Sequence, residues 1–189
     1  MKIGILGGTF DPPHNAHIEL AQFCKQKFNL DKIMFLPLGD APHKKNVTNK
    51  EIRLQMLKTA IGENQDFFIS LAEMQREGKT YTFDTLCLLD KDNEYFYLIG
   101  GDTLKTLHTW YRAEDVFKLA KFILVERPNV ETQKTVAEEN GACVLRAEYT
   151  AQDISSTKIR EMIKNKQDVS ALVPSKTLKV IEENGLYKD

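Results

Sequence analysis

The chain has 189 residues, 42% of them hydrophobic and 28% charged, with a formal net charge of -1. This is the mix of a soluble globular protein, and the length fits one domain over residues 1–189 with a proper core. The charge argues against a general nucleic-acid binder, which carries a basic face, and no apolar run approaches transmembrane length, so neither nucleic acid nor membrane is expected as a partner.

The first predicted element is Ile3-Gly4-Ile5-Leu6, an all-apolar strand of the kind found in buried parallel sheets. This run is too short for a signal peptide, and a cytoplasmic location is the default expectation. Next comes Gly7-Gly8-Thr9-Phe10-Asp11-Pro12-Pro13-His14-Asn15-Ala16-His17, then a helix with Ile18, Ala21, Cys24 and Phe28 at helical spacing. Strand, glycine turn and helix start together describe a phosphate site. Glycines let backbone N–H groups come close to phosphate oxygens, and a helix N-terminus adds unpaired donors. His14 and His17, three apart, share a helix face and can donate to phosphate. The glycine spacing is not that of a dinucleotide-binding fingerprint, and the histidines lack a third ligand for zinc.

Ile33 to Pro37 reads as the second strand, followed by a loop, Gly39 to Asn49, that carries His43-Lys44-Lys45. Lys44 is the candidate to follow phosphate charge. Thr48 and Glu51 read as a capping box for a helix holding Ile52, Leu57, Ala60 and Ile61. Phe67 to Leu71 is a third strand, and Thr82 to Leu89 a helix with Phe83, Leu86 and Leu89 on one face. Tyr95 to Ile99 is a fourth strand, ending in Gly100-Gly101-Asp102, where a carboxylate can accept from ribose or adenine or can cap a helix. Trp110-Tyr111 follows. The flat indole offers a stacking surface, although a lone tryptophan is more often core.

A helix over Ala113 to Lys121, a strand over Phe122 to Val125 and a weaker strand over Ala142 to Leu145 come next. Two helices close the chain, Ser155 to Lys166 and Ser175 to Asn184. Asp153 or Ser155 can cap the first of these, and Ser156 and Arg160 share one of its faces, a set suited to polyphosphate. Cys24, Cys87 and Cys143 form neither a metal spacing nor a disulfide framework. Cys24 and Cys87 fall in apolar helical patterns and are expected to be buried thiols. Alternating strands and helices predict an α/β fold, a doubly wound and mainly parallel sheet with C-terminal helices. Gly7-Gly8, Pro37 to Lys45 and Gly100-Gly101-Asp102 all follow strands and should converge at the carboxyl edge of that sheet.

Together these residues resemble the nucleotidyltransferase superfamily, with its H-x-x-H-like and I-S-S-T-x-x-R-like motifs. Within it the chain is similar to the bacterial nicotinate mononucleotide adenylyltransferases. Tyr81-Thr82-Phe83-Asp84-Thr85, Trp110-Tyr111, Arg127-Pro128 and the closing Asn184-Gly185-Leu186-Tyr187 carry that likeness. Ala16 departs from it, standing where many members have glycine.

The resemblance implies transfer of AMP from ATP to nicotinate mononucleotide, with deamido-NAD and pyrophosphate as products. It implies catalytic roles for His14, His17, Lys44 and Arg160. The ATP site it implies comprises Gly7, Gly8, Thr9, Phe10, Gly100, Asp102, Arg127, Ile154, Ser155 and Ser156. Trp110 would stack on the pyridine, with Thr85 and Tyr111 supplying backbone donors to its carboxylate. Mg2+ would arrive with the triphosphate, with no protein metal cage. Phosphopantetheine adenylyltransferase, a non-catalytic nucleotide-binding module and an oxidoreductase are the competing readings. The oligomeric state, a homo-oligomer included, is left open.

Overall fold

A computed structural model describes residues 1–39, 47–126, 134–150 and 154–188. Six strands form a sheet: β1 (Lys2–Gly8), β2 (Lys32–Pro37), β3 (Phe67–Ile69), β4 (Glu94–Ile99), β5 (Lys121–Glu126) and β6 (Val144–Glu148). Their order is β3-β2-β1-β4-β5-β6, and every adjacent pair is parallel. The switch point lies between β1 and β4, where the order reverses and ligands of such sheets bind. The helices are α1 (Asn15–Lys27), α2 (Lys50–Ile61), α3 (Thr82–Leu88), α4 (Gly101–Thr106), α5 (Ala113–Leu119), α6 (Val136–Glu139), α7 (Ser156–Lys164) and α8 (Ser175–Glu183).

Strand side chains alternate between two faces, and both faces are covered. Ile5, Met34, Leu36, Phe122 and Leu124 pack with Leu86, Leu104, Leu107 and Val116 on one side. Leu6, Ile33, Phe35, Leu98 and Ile123 pack with Ala21, Cys24 and Leu57 on the other. A third cluster, built from Met56, Ile159, Val169, Val173, Val180 and Ile181, joins α2 to α7 and α8.

The structure corrects several sequence expectations. The helix after residue 49 is capped by Asn49, whose side chain accepts from the Glu51 N–H at 2.8 Å, and not by Thr48. Thr48 is drawn away because its N–H is donated to Asp11 Oδ2 at 3.1 Å. β3 ends at Ile69, and β6 runs later than expected, over Val144–Glu148. Helices α4 and α6, six and four residues long, are too short to show a period and were not placed from the sequence. Cys24 is buried, and burial pushes its thiol up to about 12. Cys87 is exposed, since α3 buries Thr85 and Leu86 and turns the next position outward.

Candidate active site

The turn after β1 is shaped by close packing. A Cβ on Gly7 would lie 2.5 Å from the Tyr97 hydroxyl oxygen, so no side chain fits while that tyrosine stays in place. Phe10 has φ 51, a left-handed backbone that a bulky residue adopts only when its surroundings impose it. Its ring is buried against Phe35, 5.9 Å between centroids.

Several long-range bonds hold this turn. Arg53 of α2 is 2% exposed and donates to four carbonyl oxygens. They belong to Thr9 at 2.8 Å, Leu38 at 2.9 Å, Gly39 at 2.8 Å and Thr48 at 3.0 Å. The guanidinium thus ties the turn after β1 to the turn after β2. From α7, Arg160 Nη1 donates to the Asp11 carbonyl at 2.8 Å, and Ser156 Oγ donates to the Pro12 carbonyl at 2.8 Å. Ser155 caps that helix by accepting from the Lys158 N–H at 3.2 Å.

The two histidines sit together at the start of α1. His14 is the N-cap residue, and the rings stack with centroids 3.7 Å apart. The His14 backbone N–H donates to His17 Nδ1 at 3.2 Å. A ring nitrogen that accepts carries no proton, so the neutral His17 bears its hydrogen on Nε2. Burial, with a smaller contribution from His14, pulls His17 down to about 3, and burial pulls His14 down to about 4. Both rings are therefore neutral near pH 7. The donor that His17 offers is an uncharged imidazole N–H.

His17 lines a cavity of about 830 Å³ at the carboxyl edge of the sheet, a volume typical of small-molecule sites. Gly7, Gly8, Thr9 and Gly100 line it, next to the switch point. Glu73, Thr80, Thr82, Tyr97 and Trp110 line it too. The Trp110 and Tyr97 rings meet edge to face at 5.9 Å. Leu20, Leu98, Val125, Glu126 and Tyr149 also belong to its wall. Tyr149 stacks on Phe23 with centroids 4.6 Å apart.

The remaining expected residues are not among those that line the cavity. His14 is buried behind His17, and its Nδ1 has no partner among the described residues. Ser156 and Arg160 are bonded to the turn as described, leaving further guanidinium N–H groups beyond the bond from Nη2 to Thr157 at 3.3 Å. Ile154, half-buried, packs on the third cluster. Thr85 is 1% exposed, its N–H bonds the Tyr81 carbonyl and its hydroxyl donates to Glu73 Oε1 at 3.2 Å. Tyr111 is exposed at the rim, its ring 4.7 Å from Tyr81. Asp102 is exposed in the first turn of α4 and pairs with Lys105 at 3.6 Å, so it does not cap the helix. Lys44, with His43 and Lys45, and Arg127 and Asp153 lie outside the described residues.

Sequence reasoning did not find Arg53, Glu73, Tyr97, Leu20 or Tyr149. Arg53, Glu73 and Tyr149 lie outside the motifs, Leu20 and Tyr97 lie close to them, and none of the five carries a local spacing that marks it. Glu73 is the most unusual of them. It is a buried carboxyl on the cavity wall, raised above the ordinary range by burial and pulled back partly by the Thr85 hydroxyl and Arg76. No group of three or more potential metal ligands occurs among the described residues.

A cytidylyltransferase-like family profile matches residues 5–162. The chain is 41% identical over 192 residues to the nicotinate-nucleotide adenylyltransferase of Bacillus subtilis, covering 99% of this chain and 98% of that protein. A protein of Exiguobacterium sibiricum, named as a probable enzyme of the same kind, is 40% identical over 191 residues, covering 99% of both chains. Among solved structures, the nicotinic acid mononucleotide adenylyltransferase of Plasmodium falciparum complexed with NaAD superposes with a TM-score of 0.81. It is 19% identical, over 98% of this chain and 97% of that one, so the match concerns the fold.

Proposed function

The chain belongs to the cytidylyltransferase-like family and, within it, to the nicotinate-nucleotide adenylyltransferases; from that premise we propose how its residues work. It transfers AMP from ATP to nicotinate mononucleotide in NAD biosynthesis, giving deamido-NAD and pyrophosphate. A phosphate oxygen of the mononucleotide attacks the α-phosphorus of ATP. The new P–O bond forms as the bond to the β-phosphate's bridging oxygen breaks, and pyrophosphate leaves with that electron pair. The nucleophile is already anionic, so no side-chain base is required. Catalysis reduces to alignment and charge stabilisation.

The observation that carries this reading is the neutral Nε2–H of His17, fixed by the His14 backbone on the cavity wall beside Gly8 and Thr9. It is a preorganised donor for phosphate oxygens that gain charge in the transition state. His14 backs it. Lys44, Ser155, Ser156 and Arg160 hold the triphosphate, along the turn formed by Gly7, Gly8, Thr9 and Phe10. Adenosine takes the part of the cavity beside Gly100, with Asp102, Arg127 and Ile154. The pyridine takes the part beside Trp110, with Thr85 and Tyr111 belonging to the segments that approach its carboxylate. Magnesium would arrive with the triphosphate and neutralise part of its charge, with no cluster of protein ligands among the described residues to hold it.

The test is pyrophosphate release from ATP with nicotinate mononucleotide, nicotinamide mononucleotide or phosphopantetheine as acceptor. Turnover strongest with the nicotinate form is expected. Turnover with phosphopantetheine alone overturns the role of Trp110. ATP binding without turnover on any acceptor overturns the enzymatic reading.

A further inference from the structure

Asp11 and Tyr187 take no part in the chemistry above, yet the fold brings these distant residues into contact. The Tyr187 hydroxyl donates to Asp11 Oδ1 at 2.6 Å. The other carboxylate oxygen accepts the Thr48 N–H at 3.1 Å, and Thr48 Oγ1 donates to the Tyr187 oxygen at 3.4 Å. Three segments therefore close on one carboxylate, which is 4% exposed. The last turn is wound to deliver the ring inward: Gly185 and Tyr187 both have positive φ, 60° and 62°. Leu186 and Tyr187 pack against the third cluster.

We propose that Tyr187 is a positioning residue for adenylyl transfer, acting through the Asp11 carboxylate to hold the turn between β1 and α1 in its reactive shape. The inference rests on the adenylyltransferase reading above. The turn contains a left-handed Phe10 and needs outside contacts to stay so. Its backbone is held at three carbonyls: Thr9 by Arg53, Asp11 by Arg160 and Pro12 by Ser156. The Asp11 side chain is its fourth anchor, and the two bonds that satisfy it come from Thr48 and Tyr187.

A buried carboxylate deprived of a donor seeks another. Arg160, already on the Asp11 carbonyl, is the nearby cation. Loss of the tyrosine hydroxyl therefore draws Arg160 further toward Asp11 and shifts the turn three residues before His14. Both changes act on the charge developed in the transition state more than on ground-state binding.

The experiment compares Tyr187→Phe, Asp11→Asn and the double variant in the pyrophosphate-release assay, with thermal unfolding followed by circular dichroism. Tyr187→Phe keeps the ring and removes only the hydroxyl. The expected result is a kcat lowered about tenfold with both KM values within about threefold of the parent. In the double variant kcat is expected to be no lower than in Asp11→Asn alone, because the tyrosine acts through that carboxylate. A parental kcat in Tyr187→Phe, even with a lowered melting temperature, makes the contact merely structural and overturns the proposal. Multiplicative losses in the double variant overturn the route through Asp11. If Tyr187→Phe fails to fold, Asp11→Asn carries the same kcat-against-KM criterion. An unmodified chain that turns over no acceptor refutes the adenylyltransferase reading itself, a failure distinct from the others.

Discussion

At His17 one backbone hydrogen bond decides which ring nitrogen carries the proton, and burial keeps the ring uncharged. A donor aimed at developing charge contributes mainly to kcat. His17→Ala is expected to lower kcat by about 10²–10³-fold with little change in either KM, as steady-state kinetics will show. Trp110→Ala is expected to raise the KM for the mononucleotide more than that for ATP, since its indole lines the part of the cavity assigned to the pyridine. Equal rises would make it a packing residue. The spacing of the two histidines was legible because it is local. The bond that selects the tautomer was not, because it depends on His14 standing outside the helix as its cap. Glu73 and Tyr97 were hidden for another reason: they reach the wall from the turn before α3 and from β4, and neither belongs to a motif of its own.

Among the elements, α2 does more than cover the sheet. Its Arg53 donates to carbonyls in three separate turns, and a methionine there would keep the bulk while removing all four of those bonds, the one to Gly39 being buried. Each buried polar group left unmatched costs about 1–3 kcal/mol, so Arg53→Met is expected to destabilise by more than about 3 kcal/mol in urea unfolding. Ser155→Ala, which removes the cap of α7, is expected to cost about 1 kcal/mol by the same measurement. The strands were readable because parallel strands buried on both faces are continuous apolar runs, as in Ile33 to Leu36. The thiol of Cys87 was misjudged because a seven-residue helix gives too few turns for its period to identify the outer face. The capping residue of α2 was misjudged because Thr48 is claimed by Asp11, a partner far away in sequence.

For the molecule as a whole, the buried histidine pair makes stability depend on pH. Their ordinary value is near 6.5, and the fold lowers them to about 4 and about 3. Between those limits the unfolded chain binds protons that the native one refuses, so stability is full above about pH 6.5 and falls as the pH drops. With both rings contributing, the slope near pH 5 approaches about 2.7 kcal/mol per pH unit. Urea unfolding at pH 7, 6 and 5 checks this, and His14→Asn, which keeps a good capping residue, is expected to flatten the slope by about half. The doubly wound class was legible from the alternation of elements. The order of the strands was not, because pairing across the sheet leaves no mark in local periodicity. The layer formed by α2, α7 and α8 was hidden in the same way, although it supplies the bonds that shape the turn carrying the histidines.

The contact between Gly7 and the Tyr97 hydroxyl also limits how this lineage can change. A side chain at position 7 meets the phenolic oxygen, so any descendant that gains one must move or lose that oxygen. Position 7 and position 97 can therefore change only together, and the glycine is held by the tyrosine packed against it.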